Sequence, residues 1–389
     1  MKHGVESVLT VADMRTCARR RLPLAIFDAI DGGAGDELTL RENRAAYERI
    51  WFRPRTAADV SQRDLTTTVL GKRVSMPLLL APCGMARITN IAGERAAARA
   101  AARAGTIFAL SGAGSHSPES VFAEGGDPWY QLYLTGDRDD TVALIGRVRH
   151  AGYTVLCVTV DSPVVAARER DYRNRLELPP RISPRLVAGV ASRPGWTFDF
   201  VRDRVADRGM AQMRLLLWRF AQIVQELRPA TFEELRWIRE LWDGPLVVKG
   251  VQRGDECAEL LELGADGIVV SNHGGRQLDG VRATIDILPE VVDAVDGRCE
   301  VFLDGGIQRG ADVVKALALG ARACLAGKAY MFGLGAFGEA GVERVLEILR
   351  VEIDRVLAFV GCPTVGSIDT SIVEVRVPRV LGRVEEGAR

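Results

Sequence analysis

The chain has 389 residues and sets 51 basic against 51 acidic side chains, a formal charge of +0, with 47% hydrophobic residues. That balance removes the electrostatic case for a nucleic-acid partner, and the apolar content is ample for a core. Seven scattered cysteines form no CxxC pair, and four histidines (His3, His116, His150, His273) are too few for a multi-histidine metal site. Met1–Glu6 lacks the apolar stretch of a secretory signal, and no apolar run reaches membrane-spanning length. With unpaired thiols, this predicts a cytoplasmic protein.

Residues 1–75 read as an N-terminal extension with helical stretches at Val11–Arg20 and Leu22–Asp31. Short apolar runs then recur at Met76–Ala81, Thr106–Leu110, Trp129–Leu134, Thr154–Val160, Pro245–Val251, Gly267–Ser271, Val301–Leu303 and Ala323–Gly327. Helix-like segments lie between them at Glu94–Arg103, Asp140–His150, Glu233–Trp242, Asp255–Leu263, Ile285–Val295 and Ala311–Leu319. Eight such units predict an α/β fold, a (β/α)8 TIM barrel over about residues 76–361 of a single domain spanning 1–389. A doubly wound sheet is the alternative; residues of functional type after most strands favour closure. The fourth crossover, Ser162 to Glu233, is unusually long, and a lid insertion is expected at about 175–230. Its apolar, arginine-spiked stretch Met210–Leu227, with Met213–Phe220 at its centre, suits a lid or subunit contact better than a membrane surface.

The strand ends carry the chemistry. Strand one ends in Pro82-Cys83-Gly84, small residues against which a planar ring can lie, and strand two in Ser111. Gln131 and Tyr133 share a face of strand three. Strand four gives Thr159 and Asp161, followed by Arg168, and strand five gives Lys249. Strand seven gives Asp304-Gly305-Gly306 and strand eight Gly327-Lys328, where barrels commonly bind phosphate. Taken singly, Tyr133 reads as core, Lys249 as a solvated end and Asp304 as a helix cap; their gathering at one rim has no such explanation. Strand six runs into Ser271-Asn272-His273-Gly274-Gly275-Arg276-Gln277-Leu278-Asp279. There a histidine offers a base near neutral pH, an arginine a fork for a carboxylate, and two glycines a close backbone approach.

From about Leu22 to Gly361 the chain resembles the FMN-dependent α-hydroxy-acid oxidase and dehydrogenase family, which includes glycolate oxidase, lactate oxidase, L-lactate dehydrogenase and mandelate dehydrogenase. The Ser271–Asp279 motif is its most specific element. Gln131–Tyr133, Thr159–Asp161, Arg168–Asn174, Val248–Gly250, Leu303–Gly306 and Lys315–Ala321 match as well. The resemblance implies FMN across the strand ends, its ring on Pro82, Cys83 and Gly84 with Ser111, Gln131, Thr159 and Ser271 around it. Lys249 would stand at the pyrimidine edge, Asp304 at the ribityl chain, and Gly306, Gln308, Arg309, Gly327 and Lys328 at the phosphate. It also implies a substrate carboxylate held by Arg276 and Arg168, a hydroxyl bonded by Tyr133, and His273 as base oriented by Asp161. The reaction implied is oxidation of an (S)-2-hydroxy acid to the 2-oxo acid, by hydride transfer or by a carbanion route. Oxygen, a quinone or a carrier protein would take the electrons, and the assembly would be a homo-oligomer, a tetramer. A tailoring enzyme for a larger hydroxy acid or peptide is the first alternative, and a flavin-binding module without turnover the second.

Four positions depart from the family pattern. Ala29 stands where a tyrosine usually helps hold the substrate carboxylate, which opens space and points away from glycolate or lactate. Gln308 and Lys328 stand where arginines usually meet the phosphate, and Ala166 replaces a common glycine.

Overall fold

The computed structural model describes residues 4–174, 184–199 and 226–376. Eight parallel strands form one sheet: β1 (Leu78–Leu80), β2 (Ala109–Ser111), β3 (Trp129–Leu132), β4 (Leu156–Thr159), β5 (Leu246–Val251), β6 (Gly267–Val270), β7 (Glu300–Leu303) and β8 (Ala323–Ala326). Their order, β1-β8-β7-β6-β5-β4-β3-β2, brings the two sequence ends of the barrel together. A parallel bridge between Leu80 and Phe108 closes it, with the Leu80 N–H on the Ile107 carbonyl at 2.9 Å. Every predicted strand is present, so the barrel expectation holds and the doubly wound alternative does not.

Alternation along the strands sorts side chains to two cores. Leu79, Ile107, Trp129, Cys157, Val247, Val269, Phe302 and Leu325 fill the barrel interior, while Leu78, Leu80, Leu132, Val158, Val248, Ile268 and Leu303 face the surrounding helices. The hairpin Thr67–Val69/Lys72–Val74 sends Val69 and Val74 into the interior cluster. Its turn residues Leu70 (φ 47°) and Gly71 (φ 78°) have the paired left-handed conformation that tight hairpins require.

The surrounding helices start and stop as predicted to within a few residues. Gly93–Arg103 is alanine-rich, Arg138–His150 opens on an Asp137 capping box, and Thr231 caps Phe232–Leu241. The helices not anticipated include Lys328–Phe337 directly after β8 and the long Glu339–Val360 that packs against it. The extension forms α1 (Val11–Arg21), α2 (Leu24–Asp31) and α3 (Leu38–Ala45). Ile50–Phe52 pairs antiparallel with Val373–Val375, tying this extension to the far end of the chain.

Of the expected insertion, Pro184–Ala191 is helical. Beyond it Trp196 is buried, its indole N–H donating to the Ile88 carbonyl at 3.1 Å, and Arg193 reaches the Leu22 carbonyl at 3.0 Å. The chain rejoins the barrel where Leu227 bridges Thr135. The stretch Met213–Phe220 lies outside the described residues. Among the described residues no helix is long and apolar enough to cross a membrane.

Candidate active site

Where the interior alternation reaches the carboxyl ends of the strands it turns polar. Ser111, Gln131, Thr159, Lys249, Ser271 and Asp304 are all buried there. Buried polar groups are costly unless paired, and these pair with one another. Ser111 donates to Gln131 at 3.0 Å and Gln131 to Thr159 at 2.9 Å. Lys249 Nζ donates to Ser271 Oγ at 2.9 Å and meets Asp304 Oδ2 at 2.9 Å. Burial opposes the Lys249 charge, but Asp304 and Asp161 outweigh it and hold the ammonium above the ordinary lysine range. One oxygen stays unused: Asp304 Oδ1 is buried without a partner among the described residues.

His273 follows this ring. Its backbone is left-handed (φ 58°), as are Gly274 (φ 64°) and Gly275 (φ 72°). A non-glycine residue in that conformation is strained and persists only where its surroundings fix it. Here the His273 N–H donates to Ser271 Oγ at 3.0 Å and Nδ1 meets Asp161 Oδ1 at 3.0 Å. Asp161 in turn sits against Gly250 in β5, where a Cβ would come within 2.7 Å of its side chain; that glycine bulges the strand at φ 110°. His273 Nε2 faces the Tyr133 hydroxyl at 3.4 Å. Burial lowers the imidazole below the ordinary histidine range, with Asp161 opposing. Burial works against the Asp161 charge, yet His273 and Lys249 hold the carboxyl below its usual value. Tyr133 is pushed up by burial and stays a neutral phenol.

Across the mouth lie three cations without carboxylate partners among the described residues. Arg168 Nε donates to the Arg276 carbonyl at 3.3 Å, while Arg276 and Lys328 both donate to the Gly32 carbonyl, at 2.9 and 3.1 Å. Arg276 and burial lower the Arg168 guanidinium to about 10, and burial with Arg276 lowers the Lys328 ammonium to about 7. Such a cluster has the charge and donors that suit an anion. The residues after β7 divide differently. The Arg309 guanidinium is half-exposed and engaged by Glu352 at 2.8 Å. The backbone N–H groups of Gln308 and Arg309 donate to Asp312 Oδ2 at 2.9 Å.

An FMN-dependent dehydrogenase family model matches residues 18–375. The chain belongs to the FMN-dependent dehydrogenase family. It is 43% identical to L-lactate oxidase of Nostoc sp. over 96% of this chain and 100% of that protein. It is 39% identical to (S)-mandelate dehydrogenase of Pseudomonas putida over 95% of this chain and 94% of that protein. Its structure is similar to that of the monotopic membrane protein (S)-mandelate dehydrogenase, with a TM-score of 0.89 at 37% identity, covering 95% of this chain and 100% of that one.

FMN suits the donor set of this FMN-dependent oxidoreductase. The orphaned Asp304 oxygen is an acceptor for a sugar-like hydroxyl, the buried Lys249 ammonium is a cation for an electron-rich ring edge, and Ser111, Gln131 and Thr159 present amide and hydroxyl groups. A Cβ at Gly84 would stand 3.0 Å from the Ala113 carbonyl, so the loop after β1 is already in close contact behind that face.

The sequence reading missed the part played by α3. Asn43 and Asn272 exchange two amide hydrogen bonds, 2.8 and 2.9 Å, deep below the His273 loop. Tyr47 donates to the Gly305 carbonyl at 3.1 Å, and Arg44 reaches the Gly306 carbonyl and Asp312. Asp279, the last residue of the motif, accepts the N–H of Thr39 at 2.8 Å at the start of the same helix. The available signal was Thr39, Asn43 and Tyr47 falling on one helical face with Ala46, a buried stripe with polar members.

Proposed function

We propose that the chain oxidises an (S)-2-hydroxy acid to its 2-oxo acid, with His273 as the base and the substrate carboxylate held by Arg276 and Arg168. The observation that carries this reading is the pairing of His273 Nδ1 with Asp161 at 3.0 Å, which turns Nε2 toward Tyr133 and the mouth where the unpaired guanidinium groups lie. With Nδ1–H given to Asp161, Nε2 is the free lone pair, and the lowered histidine keeps it neutral and ready to accept. Asp161, held ionised, then stabilises the imidazolium that proton uptake creates. Tyr133, a neutral phenol, bonds the substrate hydroxyl or its incipient carbonyl oxygen. Arg276 and Arg168 fix the acid so that its α-carbon and hydroxyl meet Nε2 in one orientation.

FMN supplies the two-electron acceptor. The residues assigned to hold it are Pro82, Cys83, Gly84, Ser111, Gln131, Thr159, Lys249 and Ser271 at the ring, Asp304 at the ribityl chain, and Gly306, Gln308, Arg309, Gly327 and Lys328 at the phosphate. Ala29 in place of the family tyrosine supports a substrate bulkier than glycolate or lactate, and the relative that acts on mandelate fits that direction. A cytoplasmic homotetramer is the accompanying expectation; seven free cysteines support a reducing compartment, and light scattering on the purified protein checks the assembly.

Anaerobic mixing of the yellow protein with a panel of 2-hydroxy acids tests the reaction. Bleaching of the flavin band by one of them is expected, and no bleaching by any, with FMN demonstrably bound, defeats the reading. Peroxide formed during aerobic turnover then separates oxygen from a quinone or carrier as acceptor.

A further inference from the structure

The turn between α2 and α3 is wedged between the two arginines assigned to the substrate acid. The Gly35 N–H donates at 3.3 Å to the carbonyl of Ala167, the residue before Arg168. The Ala34 N–H donates at 2.9 Å to the carbonyl of Gly275, the residue before Arg276. A Cβ at Gly33 would come within 2.7 Å of that Gly275 carbonyl, so the turn has no room for a side chain there. One turn thus touches the backbone beside both cations. Arg168 itself opens the short helix Glu169–Arg173, so its guanidinium goes where that helix is placed.

Arg170 ties this helix to the turn. Its guanidinium donates to Asp31 Oδ2 at 2.9 Å and to Glu37 Oε2 at 2.5 Å, one carboxylate on either side of the turn. Gly32 lies against its stem, where a Cβ would stand 3.3 Å from Arg170 Cδ. Glu37 is fixed by the turn itself, accepting the Gly33 N–H on its other oxygen at 3.0 Å. Asn174, just past the helix, donates to Asp28 at 2.7 Å. Asp31 stands in a disfavoured place: it is buried, and as the last residue of α2 it faces the negative end of the helix dipole. Burial opposes its charge, but Arg15, at 2.7 Å, and Arg170 outweigh it and hold the carboxyl below its usual value.

We propose that Arg170 is a positioning residue for the substrate acid: bridging Asp31 and Glu37, it locks the Glu169–Arg173 helix onto the α2–α3 turn and so fixes the spacing of the Arg168 and Arg276 guanidinium groups. It acts through Arg168 and not on the acid itself. This assignment rests on the hydroxy-acid reading above.

The test is a double-mutant cycle on the FMN-loaded protein. Oxalate, a planar dianion that mimics the oxidised acid, is titrated by the change it makes in the flavin absorbance. In Arg170→Met, oxalate affinity is expected to fall about tenfold, the lower end of the loss of a hydrogen bond between charged groups. In the Arg168→Met background the same substitution is expected to change oxalate affinity less than twofold, because the residue it positions is gone. A merely structural role predicts otherwise: a lower denaturant midpoint with oxalate affinity unchanged, or the same tenfold loss in both backgrounds. Either of those results overturns the assignment. If Arg170→Met does not fold, Glu37→Gln takes its place, since it keeps the acceptor for Gly33 and gives up the charge facing Arg170. If Arg168→Met binds no oxalate, Arg168→Lys serves as the background. Failure of the hydroxy-acid reading is seen separately, in wild-type protein that no 2-hydroxy acid bleaches and that does not bind oxalate, and it removes this assignment with it.

Discussion

The two sides of the barrel mouth follow opposite electrostatic plans. On the β4–β7 side the ions are paired, His273 with Asp161 at 3.0 Å and Lys249 with Asp304 at 2.9 Å. On the side that faces the end of α2, Arg168, Arg276 and Lys328 find only backbone carbonyls among the described residues. The difference separates two tasks. A paired group has its protonation state set in advance, which proton transfer needs. A cation met only by backbone carbonyls keeps its charge for an anion, which selective binding needs. On the function proposed above, chemistry belongs to the first side and recognition to the second.

The largest expected effect breaks the paired side. His273→Ala is expected to slow flavin reduction by roughly 10²–10⁴, the contribution of a positioned base, with FMN still bound. Near-normal reduction in the variant would place the base elsewhere. The same pairing sets the pH profile. Burial lowers the histidine despite Asp161, so kcat/KM should be full at neutral pH and fall only as pH drops through a value below the ordinary histidine range, about 6.5. A midpoint above that value contradicts the burial that the structure gives His273.

The next effect breaks the unpaired side. Arg276→Met removes one prong of the acid site and should cost about 1.5–3 kcal/mol for each charged hydrogen bond lost, so acid binding and flavin reduction weaken together. Arg276→Lys keeps the charge without the fork and should fall between the two. Alcohols that lack a carboxylate should be poor substrates throughout and change little. Undiminished oxidation of the best acid by Arg276→Met would leave Arg168 as the sole anchor, or a substrate that is not an acid.

The two sides were unequally legible in the sequence. The barrel could be read because apolar runs and helical spacing alternate eight times, and His273, Arg276, Asp161 and Lys249 because their residue types sit at strand ends. What could not be read was direction. Lys328 and Arg309 are both cations near a phosphate-type loop, yet the ammonium goes to Gly32 and the guanidinium to Glu352. That choice is made by Gly32 at the end of α2 and by Glu352 in the Glu339–Val360 helix, each well separated in sequence from the residue it meets. Asn43 was missed for a similar reason: an asparagine in a surface-like helix gains meaning only when Asn272, far along the chain, turns out to face it. Asn43→Ala should leave the buried Asn272 amide short of a partner and lower stability by about 1–3 kcal/mol. Denaturant unfolding of the holoprotein checks this, and an unchanged midpoint would mean that the pair does not hold the His273 loop.

The smallest expected effect sharpens the recognition side. If the missing tyrosine opens the pocket, wild type should prefer aryl or otherwise bulky 2-hydroxy acids over lactate. Ala29→Tyr adds a phenol that can donate to a small acid's carboxylate, a net gain of about 0.5–1.5 kcal/mol. It also fills volume, and overpacking against a large substrate costs about 1–3 kcal/mol. Both changes act in one direction, so kcat/KM for lactate relative to mandelate should rise by about tenfold, a decade being about 1.4 kcal/mol. An unchanged lactate-to-mandelate ratio in Ala29→Tyr, with FMN bound, would show that Ala29 faces protein rather than substrate and would remove the reason to expect a bulky acid.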